Sequence, residues 1–166
     1  DNARGVATDS SGNVYVTGST GGGLDGNTSA GSQDLFVVKY LDNGSKQWTK
    51  QLGTSGGDGA SGVATDSSGN VYVTGYTYGG LDGTNAGSSD LFVVKYNSSG
   101  TKQWTKQLGT SSHDNASGVA TDSSGNVYVT GSTSGGLDGT NAGSTDLFVV
   151  KYNSSGTKQW TKQLGT

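Results

Sequence analysis

The chain has 166 residues, 31 of them glycine and none of them proline, cysteine or methionine, which excludes disulfide staples, thiolate metal sites and thiol nucleophiles. Ten Lys and Arg against thirteen Asp and Glu give a net charge of -3, leaving no basic face for a phosphate backbone, so no nucleic-acid partner is expected. No apolar run approaches the roughly 18 residues of a membrane span and no signal peptide is seen, so a soluble chain is expected, with any export signal outside it.

Glycine far above its usual share of about 7% points to many turns, while valine, tyrosine and tryptophan gather in short regular runs, as a folded chain requires. The order in those runs is a repeat. Tryptophan recurs at Trp48, Trp104 and Trp160, and the run GVATDSSGNVYVTG begins at Gly5, Gly62 and Gly118. From Gly62 to Thr110 and from Gly118 to Thr166 the copies differ at 3 of 49 positions, Tyr76/Ser132, Tyr78/Ser134 and Ser89/Thr145. Recent duplication or deliberate construction is implied. The expected units are 1–54, 55–110 and 111–166.

Each unit reads as four strands, taken here in the third copy. Gly118–Thr121 is short and small. Asp122–Asn126 supplies a turn, glycine giving the positive φ and the acid bonding nearby backbone, before Val127–Thr130 resumes alternation. The glycine-rich stretch 131–145 leads to Asp146–Tyr152, whose branched and aromatic residues occupy both faces. Asn153–Gly156 turns the chain into Thr157–Leu164, with Trp160, Lys162 and Leu164 on one side and Gln159, Thr161 and Gln163 on the other.

Four strands joined in sequence make an antiparallel meander that is apolar on both faces, Leu147 and Val149 pointing one way and Phe148, Val150 and Tyr152 the other. Such a sheet needs a neighbour on each side, and radial stacking of blades supplies it. The fold class expected is therefore all-β, a β-propeller of three four-stranded blades per chain. Small first strands suit a central axis; the Lys- and Gln-bearing fourth suits the rim.

Candidate chemistry is sparse. Asp82, Asn85 and Asp90 offer oxygen ligands for calcium, but they depart from the spacing of a calcium loop, and copy one shifts them to Asp25, Asn27 and Asp34; turn formation is the expected role. Asp66 is expected to accept backbone N–H bonds in its hairpin turn. His113, the one histidine, lies in an inter-copy connector and lacks the partners of a triad, so it is expected as a solvated loop residue. The glycine runs lead into no helix, so they cradle no phosphate. Tyr76 and Tyr78, replaced by Ser or Gly in the other copies, are read as following the second strand at a blade edge, where they could stack on a sugar or a partner, although drift after duplication is the expected origin of the difference. Trp48, Trp104 and Trp160 invite a lectin reading, but packing between blades is the expected role, each indole N–H finding an acceptor.

The runs D-x-x-G-N-V-Y-V-T-G at Asp9, Asp66 and Asp122, D-L-F-V-V-K-Y at Asp34, Asp90 and Asp146, and Q-W-T-K-Q-L-G at each tryptophan together resemble the bacterial β-propeller repeat known as the SBBP repeat. That resemblance implies a propeller within large exported or surface-associated bacterial proteins, hence an extracellular or cell-surface setting, and no shared catalytic residues.

Three blades cannot close a ring and would leave two apolar faces wet. A head-to-tail homo-oligomer is therefore expected, Thr166 of one copy approaching Asp1 of the next, with six blades as a dimer or nine as a trimer. The function expected is a non-catalytic scaffold whose loops bind a protein or glycan, with no cofactor. Two alternatives stand beside it: carbohydrate or small-ligand binding between blades, at three equal sites per chain, and a purely structural array with no ligand.

Overall fold

A computed structural model describes every residue from Asp1 to Thr166. It is all-β, apart from a single 3-10 turn at Leu24–Gly26. Strands β1 (Asn2–Thr8), β2 (Val14–Thr20), β3 (Asp34–Tyr40) and β4 (Lys46–Leu52) form one sheet. The second holds β5 (Asp58–Thr65), β6 (Val71–Thr77), β7 (Asp90–Tyr96) and β8 (Lys102–Leu108), and the third β9 (Asp114–Thr121), β10 (Val127–Thr133), β11 (Asp146–Tyr152) and β12 (Lys158–Leu164). Every pairing is antiparallel between strands consecutive in the chain; the tight turns joining the first strand to the second and the third to the fourth allow no other pairing, and the longer glycine-rich loop between the second and third also returns the chain antiparallel. No helix is long and apolar enough to cross a membrane.

The first strand of each sheet is longer than its sequence pattern shows. In blade 3 the pattern marks Gly118–Thr121, whereas β9 begins at Asp114 and β10 runs on to Thr133. The reason is a β-bulge. In β5 the register shifts between Ala60 and Gly62, leaving Ser61 as the extra residue. Ala60 and Val63, three apart, therefore lie against one and the same core, which a strict two-residue alternation forbids. Tyr76 is likewise inside β6 and only Tyr78 follows it, so the expectation that both lie beyond the strand is corrected.

Packing follows the two-faced sheets. Tyr15, Leu35 and Val37 of the first blade meet Ala60, Val73, Phe92 and Val94 of the second; Tyr72, Leu91 and Val93 of the second meet Ala116, Val129, Phe148 and Val150 of the third. The two cores are the same core one repeat apart. First strands lie side by side as inner strands of adjacent blades: the Thr65 hydroxyl donates to the Thr8 carbonyl and the Thr121 hydroxyl to the Thr65 carbonyl, both at 2.9 Å.

Candidate recognition surfaces at the blade seams

Each hairpin turn between the first two strands of a blade is organised by its leading aspartate. Asp9 Oδ1 accepts the backbone N–H groups of Ser11 and Asn13, and Oδ2 accepts the Asn13 amide and the Tyr15 hydroxyl. Asp66 and Asp122 repeat the set with Tyr72 and Tyr128. Four donors fill the lone pairs of a carboxylate, so these acids hold the turn and have no acceptor left for a ligand. The Asn126 side chain and backbone hold the Asp122 carboxyl down at about 2, against partial burial that opposes them. Burial pushes Asp9 and Asp66 up, but their turn hydrogen bonds outweigh it and both end below the usual range.

A carboxyl held low in the folded state adds stability above its unfolded value near 3.8, and that stability is lost as pH falls through the folded one. Urea midpoints are therefore expected to drop between pH 4 and pH 2. Asp122→Asn, which keeps an acceptor oxygen but no proton to titrate, should flatten that drop; an unchanged pH slope would rule the turn out as its source.

The tryptophans are packing residues across seams. Trp48 Nε1 donates to the Ser98 carbonyl of the next blade at 3.3 Å, and Trp104 to that of Ser154 at 3.3 Å. Each indole covers a turn glycine, Gly100 or Gly156, both at positive φ; a Cβ there would sit about 3.0 Å from the ring. Trp160 lies on the open face of blade 3 and is 39% exposed.

A second seam element joins the fourth strand of one blade to the first of the next. Asp58 Oδ1 accepts the Thr77 hydroxyl, and its Oδ2 accepts both the N–H and the hydroxyl of Thr54 from the preceding blade, at 2.6 and 2.9 Å. Asp114 does the same with Thr133 and Thr110.

Tyr76 and Tyr78 stand at the loop end of the first seam. Their rings meet edge to face, centroids 5.7 Å apart, and Tyr78 is 51% exposed. Room for them comes from Gly57, beside the Tyr78 ring, and Gly59, opposite Tyr76. One repeat on, those places hold His113 and Asn115 opposite Ser134 and Ser132. The exchange is thus four residues rather than two, a complementarity visible in the sequence only once β5 is extended back to Asp58. His113 is exposed, and its Nδ1 lies 3.0 Å from the Ser89 hydroxyl.

The oxygen-rich loop is occupied by its own chain. Asp82 pairs with Lys106 at 3.9 Å, Asn85 Oδ1 accepts the Gly87 N–H, and Asp90 Oδ2 accepts the Ala86 N–H and the Gln107 amide. The three side chains share no partner. Asp34 and Asp146 take the same places in the outer blades.

Repeated two-faced meanders, first strands innermost and side-by-side seams define a protein of propeller-type blades. The chain belongs to the SBBP β-propeller repeat family, whose pattern matches residues 1–25, 47–82 and 103–138. It is 29% identical, over 212 aligned positions, to an uncharacterized WD repeat-containing protein, L264, of Acanthamoeba polyphaga mimivirus, covering 96% of this chain and 15% of that protein. To the regulatory protein FlaEY of Caulobacter vibrioides it is 27% identical over 188 positions, covering 98% of this chain and 20% of the other. The chain thus spans a fifth or less of these curated relatives.

Proposed function

We propose that the chain is a non-catalytic interaction scaffold whose two terminal blade faces are each covered by another copy of itself, forming a head-to-tail ring. One comparison carries this reading. Leu35 and Leu91 are 0% exposed, whereas Leu147, at the same place in the third blade, is 53% exposed. Leu164 and, on the opposite terminal face, Val6 are each 69% exposed, an apolar surface of the kind that marks an interface. Hollows mark both faces: an apolar one of about 260 Å³ beside Tyr128, Val129 and Val149 on blade 3, and a mixed one of about 250 Å³ on blade 1, where Leu24, Val38 and Tyr40 stand beside Thr49 and the Lys46–Asp25 ion pair.

The polar groups support the same occupant. Asp1 accepts the Thr20 hydroxyl just as Asp58 accepts Thr77, and Thr166 stands one repeat beyond Thr110. Asp1 of one copy and Thr166 of the next therefore rebuild the clamp seen twice within the chain. At the same junction Asp42 occupies the position of Ser98 and Ser154, where it would meet the Lys151 ammonium of the neighbouring copy. A repeated head-to-tail contact gives a ring where its rotation divides a full turn and an open filament where it does not; the closed ring is the form proposed. Its open end, where Tyr76 and Tyr78 are displayed, is the surface assigned to protein or glycan recognition; amphipathic aromatic rings suit both.

Sedimentation equilibrium tests the assembly. The expected mass is two or three times that of the chain, giving six or nine blades, and Asp1→Ala should raise the dissociation constant about tenfold or more, the cost of one charge-assisted hydrogen bond. A stable monomer at micromolar concentration would overturn the ring.

A further inference from the structure

A polar cleft of about 230 Å³ opens at the seam between blades 1 and 2, at the end opposite Tyr76 and Tyr78. Asp9, Ser10, Ser11 and Asn13 of the first hairpin turn form one wall, and Ser67, Ser68 and Ser98 from two turns of the second blade form the other. All five serines are exposed, so the cleft presents hydroxyls, each both donor and acceptor. At its floor lies Lys39, only 9% exposed. Its ammonium donates to the Ser98 carbonyl at 3.2 Å and rests 5.3 Å from the centroid of the Tyr15 ring.

An ammonium has three donors, and this one has a single hydrogen-bond acceptor and no ion pair; the three ion pairs of the chain use Lys46, Lys106 and Lys162. Asp9 does not answer it, because its oxygens are consumed by four donors of its own turn. The donors on Asp9 are neutral and leave its carboxylate charged, so the cleft holds one charge of each sign; its unfilled hydrogen-bonding capacity lies on the ammonium and on the serine hydroxyls. A recess of this size is below the range for drug-sized ligands, and an inorganic oxyanion would leave most of it to water. The geometry points to a binding cleft for an acidic sugar, a single pyranose-sized polyol whose carboxylate pairs with Lys39 while its hydroxyls bond the serines.

The residues recur one repeat on. Asp66, Ser67, Ser68, Asn70, Ser123, Ser124 and Ser154 are the sequence equivalents at the second seam, where Lys95 donates to the Ser154 carbonyl at 3.1 Å with its ammonium 5.3 Å from the Tyr72 ring centroid, but that bond is exposed and no cleft opens around it. In the proposed ring Asp42 would stand in place of that serine beside Lys151. One site per chain follows, at the first seam, not the three that equal repeats suggest, and it lies inside one chain, independent of any ring.

The test is an amide-resolved NMR titration of the unaltered chain with glucuronate, with glucose and acetate as separate arms. Glucuronate is expected to shift the amides of Ser11, Ser68, Gly69 and Ser98, saturating at one per chain. Glucose, lacking the charge, and acetate, lacking the hydroxyls, should each bind about tenfold more weakly, the loss of one charge-assisted hydrogen bond or more. Lys39→Met should abolish the glucuronate shifts, and Lys39→Arg should retain them. Shifts confined to other parts of the chain, or glucuronate binding no better than acetate, would refute the site, whether or not the methionine variant folds.

Discussion

Val149→Asp is expected to convert the proposed assembly into folded single chains, while the same change one repeat earlier, Val93→Asp, unfolds the protein. The two valines hold the same place in their blades. Val93 is 0% exposed in the core between blades 2 and 3, where an unpaired carboxylate loses its hydration with no partner to replace it, a cost of several kcal/mol. That is a large part of a domain's stability of about 5–15 kcal/mol. Val149 lines the open hollow on the last face, so its aspartate meets water in the free chain and desolvates only when another copy docks. Sedimentation and far-UV circular dichroism together read the outcome. If Val149→Asp sediments as the unaltered chain does, blade 3 is not a docking face; if Val93→Asp keeps its thermal midpoint, the inter-blade core is not what holds the chain together.

Gly75→Ala is the second large effect, and it acts through backbone rather than charge. Gly75 in β6 lies opposite Ala60 at the bulge of β5, and a Cβ there would sit 1.9 Å from the Gly59 carbonyl oxygen and 2.8 Å from the Ala60 Cα. Neither obstacle is a side chain that can swing away, so the bulge itself must open. Because that bulge aims both Ala60 and Val63 at one core, its loss spreads into packing. A destabilisation of about 3 kcal/mol is expected, at the upper end for an added methyl group. Gly22→Ala, with nothing within 4 Å of the new methyl, should stay within about 0.5 kcal/mol. Urea denaturation at constant slope measures both; equal midpoints for the two variants would show that the bulge is not a constraint.

Much of the fold was legible because repeats multiply a weak signal. One run such as DLFVVKY could be a buried strand in many folds, but three at fixed spacing, each after a D-x-x-G-N turn, leave a meander as the economical solution, and its two apolar faces demand stacking. The tryptophan role was also legible, since an aromatic repeated at one place in a strand belongs to packing. Less could be read where the backbone departs from regular alternation: the bulge at Ser61 hid the first four residues of β5, and with them the pairing of Gly57 and Gly59 against Tyr76 and Tyr78.

The sequence by itself determined the blade, its strand order, its turns and the need for neighbours, because period-two patterning and turn chemistry are local properties. Only the tertiary structure decided which groups share a seam. Lys39 and Ser98 are 59 residues apart and Trp48 and Ser98 are 50 apart, and nothing in either local pattern marks one for the other. A buried ammonium with unfilled donors is a property of where two sheets meet, and the angle and depth of that meeting are set by side-chain packing across the whole interface.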